Sequence, residues 1–130
     1  MTGRSVDDGG PGATVVVVDD EHDVADLYSA YLEDHYEVRT AYGGEAALEA
    51  VDSTVDLVLL DRRMPDMSGD DVLAAIREEG YDCRVMLVTA VEPDFDIVEM
   101  PFDEYLTKPI SREDLQEAVD EQLLLDSYDS

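Results

Sequence analysis

Apolar positions recur along this chain with two periods that alternate. Thr14–Val18 is an unbroken β-branched run, the pattern of a strand buried on both faces. Val24, Leu27, Tyr28, Tyr31 and Leu32 then recur at helical spacing, which predicts an amphipathic helix. Residues 36–41 alternate as a shorter strand. Residues 44–52 predict a short helix with Ala47, Leu48 and Val51 facing inward. Residues 55–60 form a second apolar run, interrupted by Asp56 near its start. Ser68, Gly69, Asp70 and Asp71 have the pattern of a capped helix start and lead into Val72, Leu73 and Ile76. Residues 84–88 are a third buried run, and residues 104–106 a short final strand. Ser111 and Asp114 open a last helix that buries Leu115, Ala118, Val119 and Leu123.

Five repeats of strand then helix, the fourth helix being the weakest, imply a parallel sheet covered on both faces. Right-handed crossovers restrict it to a doubly wound, flavodoxin-like α/β fold with five strands in the order 2-1-3-4-5. In such sheets ligands bind at the carboxyl ends of the strands, near the switch point between strands 1 and 3. The polar residues fall there. Asp19 and Asp20 follow strand 1, Asp61 follows strand 3, Thr89 ends strand 4 and Lys108 follows strand 5. Any one of these aspartates is ordinary turn punctuation. All of them together, on otherwise apolar strands, predict a site. Clustered carboxylates raise one another's pKa unless a counter-charge joins them. Hard oxygen ligands suit Mg²⁺ (or another divalent cation such as Mn²⁺), which commonly shares its remaining positions with phosphate.

Composition narrows the partners. The formal net charge of the 130 residues is −26, with 34 acidic residues against seven Arg and one Lys. Nucleic acid and anionic membrane surfaces are therefore not expected partners. Apolar residues make up 45%, too many for a disordered acidic chain, so the acidity reads as adaptation to high salt, where surface repulsion is screened. Cys83 is alone, at the edge of an apolar run, and reads as a small buried or half-buried filler. No apolar stretch approaches membrane-spanning length and no charged-then-apolar leader opens the chain, so a cytoplasmic location is expected. Residues 1–12, rich in Gly and Asp, read as a flexible tail, 13–125 as the domain, and 126–130 as a tail or the start of a linker.

Four segments carry a resemblance. VVVVDDE at 15–21, LVLLDRRMPDMSG at 57–69, VTA at 88–90 and EYLTKP at 104–109 resemble, in order and spacing, the signature segments of response-regulator receiver domains. The resemblance implies a signalling switch and not an enzyme, catalysing only its own phosphorylation and dephosphorylation. Asp61 would take a phosphoryl group from the phosphohistidine of a histidine kinase or phosphotransfer protein. Asp20 and Asp61 would ligate Mg²⁺, with Asp19 close by and the backbone carbonyl of Arg63 completing the protein's share. Thr89 and Lys108 would hold phosphoryl oxygens, and the small Ala90 would let its N–H approach. Pro109 would follow a cis peptide. Tyr105 would be the switch aromatic, moving into space that Thr89 vacates. A downstream effector or a homodimer would read the change. Lys108, alone of its kind, is expected to be dispensable for folding and necessary for switching.

The chain also departs from the pattern. The span from Thr89 to Lys108 is short, and Pro93 and Pro101 leave room for a fourth helix of only about two turns. Similar shortening occurs in haloarchaeal receivers that precede a small helical domain, which this chain resembles. Arg63 and Val91 occupy positions that often tune phosphoryl lifetime in the family, although Arg63 suits a surface ion pair better. His22 reads as a solvated first-turn residue in preference to a metal ligand, and His35 as a helix-end residue. An aspartyl phosphatase would need an acid where Arg63 stands. A flavodoxin-like carrier would need a phosphate loop where Asp19, Asp20 and Glu21 stand. A stand-alone phosphorelay intermediate and a phosphorylation-independent pseudo-receiver remain alternatives, though the latter usually lacks Asp61 or Lys108.

Overall fold

The computed structural model describes residues 12–93 and 100–129, with side chains as far as residue 124. Among them are five strands, β1 (Thr14–Val18), β2 (Glu37–Ala41), β3 (Leu57–Leu60), β4 (Arg84–Thr89) and β5 (Glu104–Thr107). Four helices alternate with them: α1 (His22–Leu32), α2 (Gly44–Ala50), α3 (Gly69–Glu78) and α4 (Arg112–Asp129). All strand pairs are parallel, in the order β2-β1-β3-β4-β5. The expected doubly wound sheet is therefore present. The shortened fourth helix expected between Thr89 and Lys108 falls on residues 94–99, outside the described residues.

Strand alternation divides the core in two. Val16, Val18, Val58, Leu60, Val85 and Leu87 point to one face, where Ala47 of α2 and Val72, Leu73 and Ile76 of α3 cover them. Val15, Val17, Leu57, Leu59, Met86 and Val88 point to the other, under Tyr28 and Leu32 of α1 and Leu115, Ala118 and Val119 of α4. Both faces being buried is why these strands read as continuous apolar runs. Each fully buried Leu or Ile stabilises by about 1.5–3 kcal/mol. Cys83 is buried as a filler of the first cluster. Leu27 departs from expectation and is 46% exposed. It follows buried Ala25 by two residues, about 200° around the helix, and so lands on the solvent face.

Local chemistry explains several element ends. Ser68 accepts a hydrogen bond from Asp71 N (3.1 Å), the expected cap of α3. Ser111 does the same for Asp114 N (3.0 Å) at α4. Asp56, the interruption before β3, carries the ladder past the strand end: its Oδ2 accepts from Thr14 N (2.8 Å) while its own N–H donates to Thr14 O (2.8 Å). The N-terminus of α2 is satisfied from elsewhere in the chain, because Asp66 accepts from Gly44 N and Glu45 N, both at 3.1 Å. Those two bonds hold the Asp66 carboxyl below the usual aspartate range. Gly69 is required by close approach. A Cβ there would lie 2.0 Å from the carbonyl oxygen of Asp61.

Candidate functional site

Register brings the sequence-predicted residues together. Val18 pairs with Leu60, so Asp19 and Asp61 are the next residues along neighbouring strands. Thr89 pairs with Thr107, and Lys108 N donates to Thr89 O (2.8 Å), which carries Lys108 one step past the β5 end. The Lys108–Pro109 peptide is cis, as expected. Asp19 (2% exposed), Asp61 (7%) and Thr89 (1%) are buried at this rim, and Asp20 is half-buried.

The single ammonium faces two carboxylates. Lys108 Nζ pairs with Asp19 Oδ2 and lies 3.9 Å from Asp61 Oδ1. The Thr89 hydroxyl and the Arg62 backbone N–H are the neighbouring donors that favour the charged Asp61 carboxylate. Burial nonetheless pushes the Asp61 carboxyl up, against the opposing effects of Thr89 and Lys108. Burial alone would lower the Lys108 ammonium, but the Asp19 hydrogen bond and the attraction of Asp61 and Asp19 outweigh it and raise its pKa. Lys108 is therefore no surface lysine, with a side chain 15% exposed. Carboxylate oxygens of Asp19, Asp20 and Asp61 lie within 4.8 Å of one another. Three hard anionic donors at that spacing, two of them buried, match what Mg²⁺ takes from a protein.

Beside this group is a cluster that the sequence did not reveal. Arg62 is 8% exposed. Its Nε donates to Asp70 Oδ1 (3.0 Å) and Nη2 to Asp70 Oδ2 (2.9 Å), a two-point fork onto the first turn of α3. Nη1 donates to Tyr105 Oη (3.2 Å), and the guanidinium lies 5.9 Å from the centre of that ring. Tyr105 in turn donates to the Val91 carbonyl (2.5 Å), and Phe102 meets its ring edge-on. The signal for Arg62 was a cation directly after a buried strand in a chain with only eight of them. Its burial depends on how β3, α3 and β5 pack.

Other candidates lie at the margin. Ala90 and the Arg63 side chain are exposed, and Val91 is half-buried. Arg63, Val91, Arg62 and Asp70 line an open pocket of about 530 Å³ beside Asp61. His22 is exposed in the first turn of α1 and stacks on Tyr42 with ring centres 4.0 Å apart. His35 meets Tyr36 edge-on.

A profile of the response regulator receiver domain matches residues 15–120. A Haloferax volcanii protein named as a transcriptional regulator is 57% identical over 117 residues, which are 89% of this chain and 20% of that protein. Response regulator SaeR of Staphylococcus epidermidis is 31% identical over 78% of this chain and 46% of its own length. This chain thus spans less than half of either relative. Among solved structures, TrrA of Thermotoga maritima in complex with Mg²⁺ and beryllium fluoride is 33% identical, with a TM-score of 0.71 over 85% of this chain and 98% of that one. The beryllofluoride-activated DrrB receiver domain is 30% identical, with a TM-score of 0.78 over 85% of this chain and 97% of that one. The Haloferax relative fits the reading of the acidity as salt adaptation.

Proposed function

This chain belongs to the response regulator receiver-domain family of two-component systems, and from that premise we propose that Asp61 is its phosphoryl acceptor and that Thr89, Tyr105 and Lys108 are its switch. Receiver domains are signalling domains that bind Mg²⁺ in an acidic pocket and interact with kinases and effectors. In this reading an Asp61 carboxylate oxygen attacks the phosphorus of a phosphohistidine, presented by a histidine kinase or phosphotransfer protein. The new P–O bond forms as the P–N bond breaks, and the imidazole nitrogen keeps the electron pair. Asp19, Asp20 and Asp61 would hold the metal, joined by the carbonyl of Arg63. Bound Mg²⁺ supplies neutralisation of the carboxylates and of the phosphoryl oxygens.

The observation that carries the proposal is the convergence of three carboxylates, one hydroxyl and the chain's one ammonium at a single rim. Phosphoryl transfer asks a protein mainly for positioning and charge neutralisation, and these groups supply both. Lys108, 3.9 Å from Asp61, is placed to take a phosphoryl oxygen. The Thr89 hydroxyl, which favours the charged Asp61 carboxylate, would follow the added charge. Ala90 offers no bulk against an approaching oxygen. The relative named as a transcriptional regulator points to gene control as the output.

The test is to incubate the protein with Mg²⁺ and acetyl phosphate in molar salt and to measure its intact mass. A gain of one phosphoryl group in the wild type and none in Asp61→Asn is expected. No gain in the wild type, or an equal gain in the variant, overturns the reading.

A further inference from the structure

A chain of hydrogen bonds leads from the rim into the Arg62 cluster. It starts at Thr89, whose hydroxyl favours the charged form of the Asp61 carboxyl. Thr89 Oγ1 accepts from Val91 N (3.3 Å). The Val91 carbonyl accepts from Tyr105 Oη (2.5 Å). Tyr105 Oη accepts from Arg62 Nη1 (3.2 Å), and the covalent chain of Arg62 returns to its own N–H beside Asp61. The chain thus runs from Thr89 through Val91 and Tyr105 to Arg62, the residue after Asp61.

We infer that Arg62 is a positioning residue that latches Tyr105 in its resting place and so sets how readily this receiver switches. The inference rests on the proposed role of Asp61, Thr89 and Tyr105. Three features make Arg62 a latch and not a passing contact. Its guanidinium is aimed in advance, because Asp70 holds two of its nitrogens and leaves Nη1 directed at the tyrosine. Its backbone is fixed to the same helix start, since Gly69 N donates to Arg62 O (2.8 Å). And it is buried, so its bonds are little screened by the salt that silences surface pairs. A Tyr105 ring that turns toward Thr89 gives up both the Arg62 donor and the Val91 acceptor. Phosphorylation acts at the Thr89 end of the chain. Moving the Thr89 hydroxyl toward a phosphoryl oxygen draws Oγ1 away from Val91 N, and the Val91 segment loses its tie.

A receiver whose competent state is only fractionally populated reacts more slowly by that fraction. Weakening the latch therefore raises the resting population and the rate of phosphorylation. A hydrogen bond to a charged group corresponds to about a tenfold change in such a population. The experiment uses the 130-residue chain in molar KCl, labelled with 3-fluorotyrosine, the Tyr105 resonance being assigned by its loss in Tyr105→Phe. Arg62→Met, which keeps apolar bulk in the buried site, should displace the Tyr105 fluorine resonance without any phosphodonor. It should also speed phosphorylation by acetyl phosphate by about tenfold. Asp70→Asn, which loosens the fork but leaves Arg62 in place, should do the same to a smaller degree and covers the case in which Arg62→Met fails to fold. Adding Tyr105→Phe to Arg62→Met should accelerate by less than the product of the two single effects, since the Arg62–Tyr105 bond they share is lost only once. A folded Arg62→Met or Asp70→Asn with unmoved fluorine resonance and wild-type rate overturns the inference, as does full additivity with Tyr105→Phe. Failure of the wild type to gain a phosphoryl group would instead overturn the proposed function, and the fluorine displacement still reads the latch in that case.

Discussion

Burial of the Asp61 carboxyl costs the folded protein stability at neutral pH. Burial raises its pKa above the unfolded value, so over that window the folded state keeps a proton that the unfolded chain releases. Its contribution to stability therefore falls as pH rises through the window. Asp61→Asn removes the titration, and in chelator the variant should melt higher than the wild type at pH 7. The difference should narrow as pH falls toward the ordinary aspartate value of about 4. Melting curves at constant high salt check this, and a gap that stays constant on acidification would sink the account. Asp19, Asp20, Asp61, Thr89 and Lys108 were legible in the sequence because each follows an apolar strand, and strand ends are visible from the pattern alone. Arg62 was not, because nothing local says that an arginine after a strand will turn inward. That depends on Asp70 eight residues on and Tyr105 forty-three residues on. Lys108 was found but partly misjudged. It was expected to be dispensable for folding, yet it is the counter-charge of a buried aspartate, and losing it leaves Asp19 and Asp61 to repel each other.

At the scale of elements, the sheet order followed from alternation and handedness, and the capped starts of α3 and α4 from Ser68 and Ser111. What escaped was long-range service between elements. The N-terminus of α2 is capped by Asp66, twenty-one or twenty-two residues downstream, in the loop that follows β3. The same loop carries Arg62 and Arg63, so α2, α3 and Asp61 are tied by one stretch of chain. Gly69 is its tightest point. Gly69→Ala places a methyl 2.0 Å from the Asp61 carbonyl and 2.9 Å from Arg62 Cα, and backbone cannot yield as a side chain can. The variant should lose about 1–3 kcal/mol of stability in chemical denaturation. It should also accept phosphoryl groups more slowly than the wild type. A stable variant with an unchanged rate would show that the loop tolerates displacement.

For the whole molecule the governing number is the net charge of −26 on 130 residues. The Debye length is about 10 Å at 0.1 M salt and about 3 Å at 1 M, so neighbouring carboxylates that repel in dilute buffer cease to do so in brine. The melting midpoint should rise by on the order of 10 °C between about 0.1 M and 3 M KCl. A flat profile would remove the salt explanation for the acidity. The division of the core by the sheet has another consequence. Among the described residues, Val16 and its neighbours pack with α2, α3 and the loops beside them, and Val15 and its neighbours with α1 and α4. Substitutions in the two halves, separated by backbone, combine nearly independently. Lineages can therefore remodel one flank to suit a new partner while the other drifts on its own schedule. The residues at the carboxyl rim, which answer to both flanks, are denied that freedom.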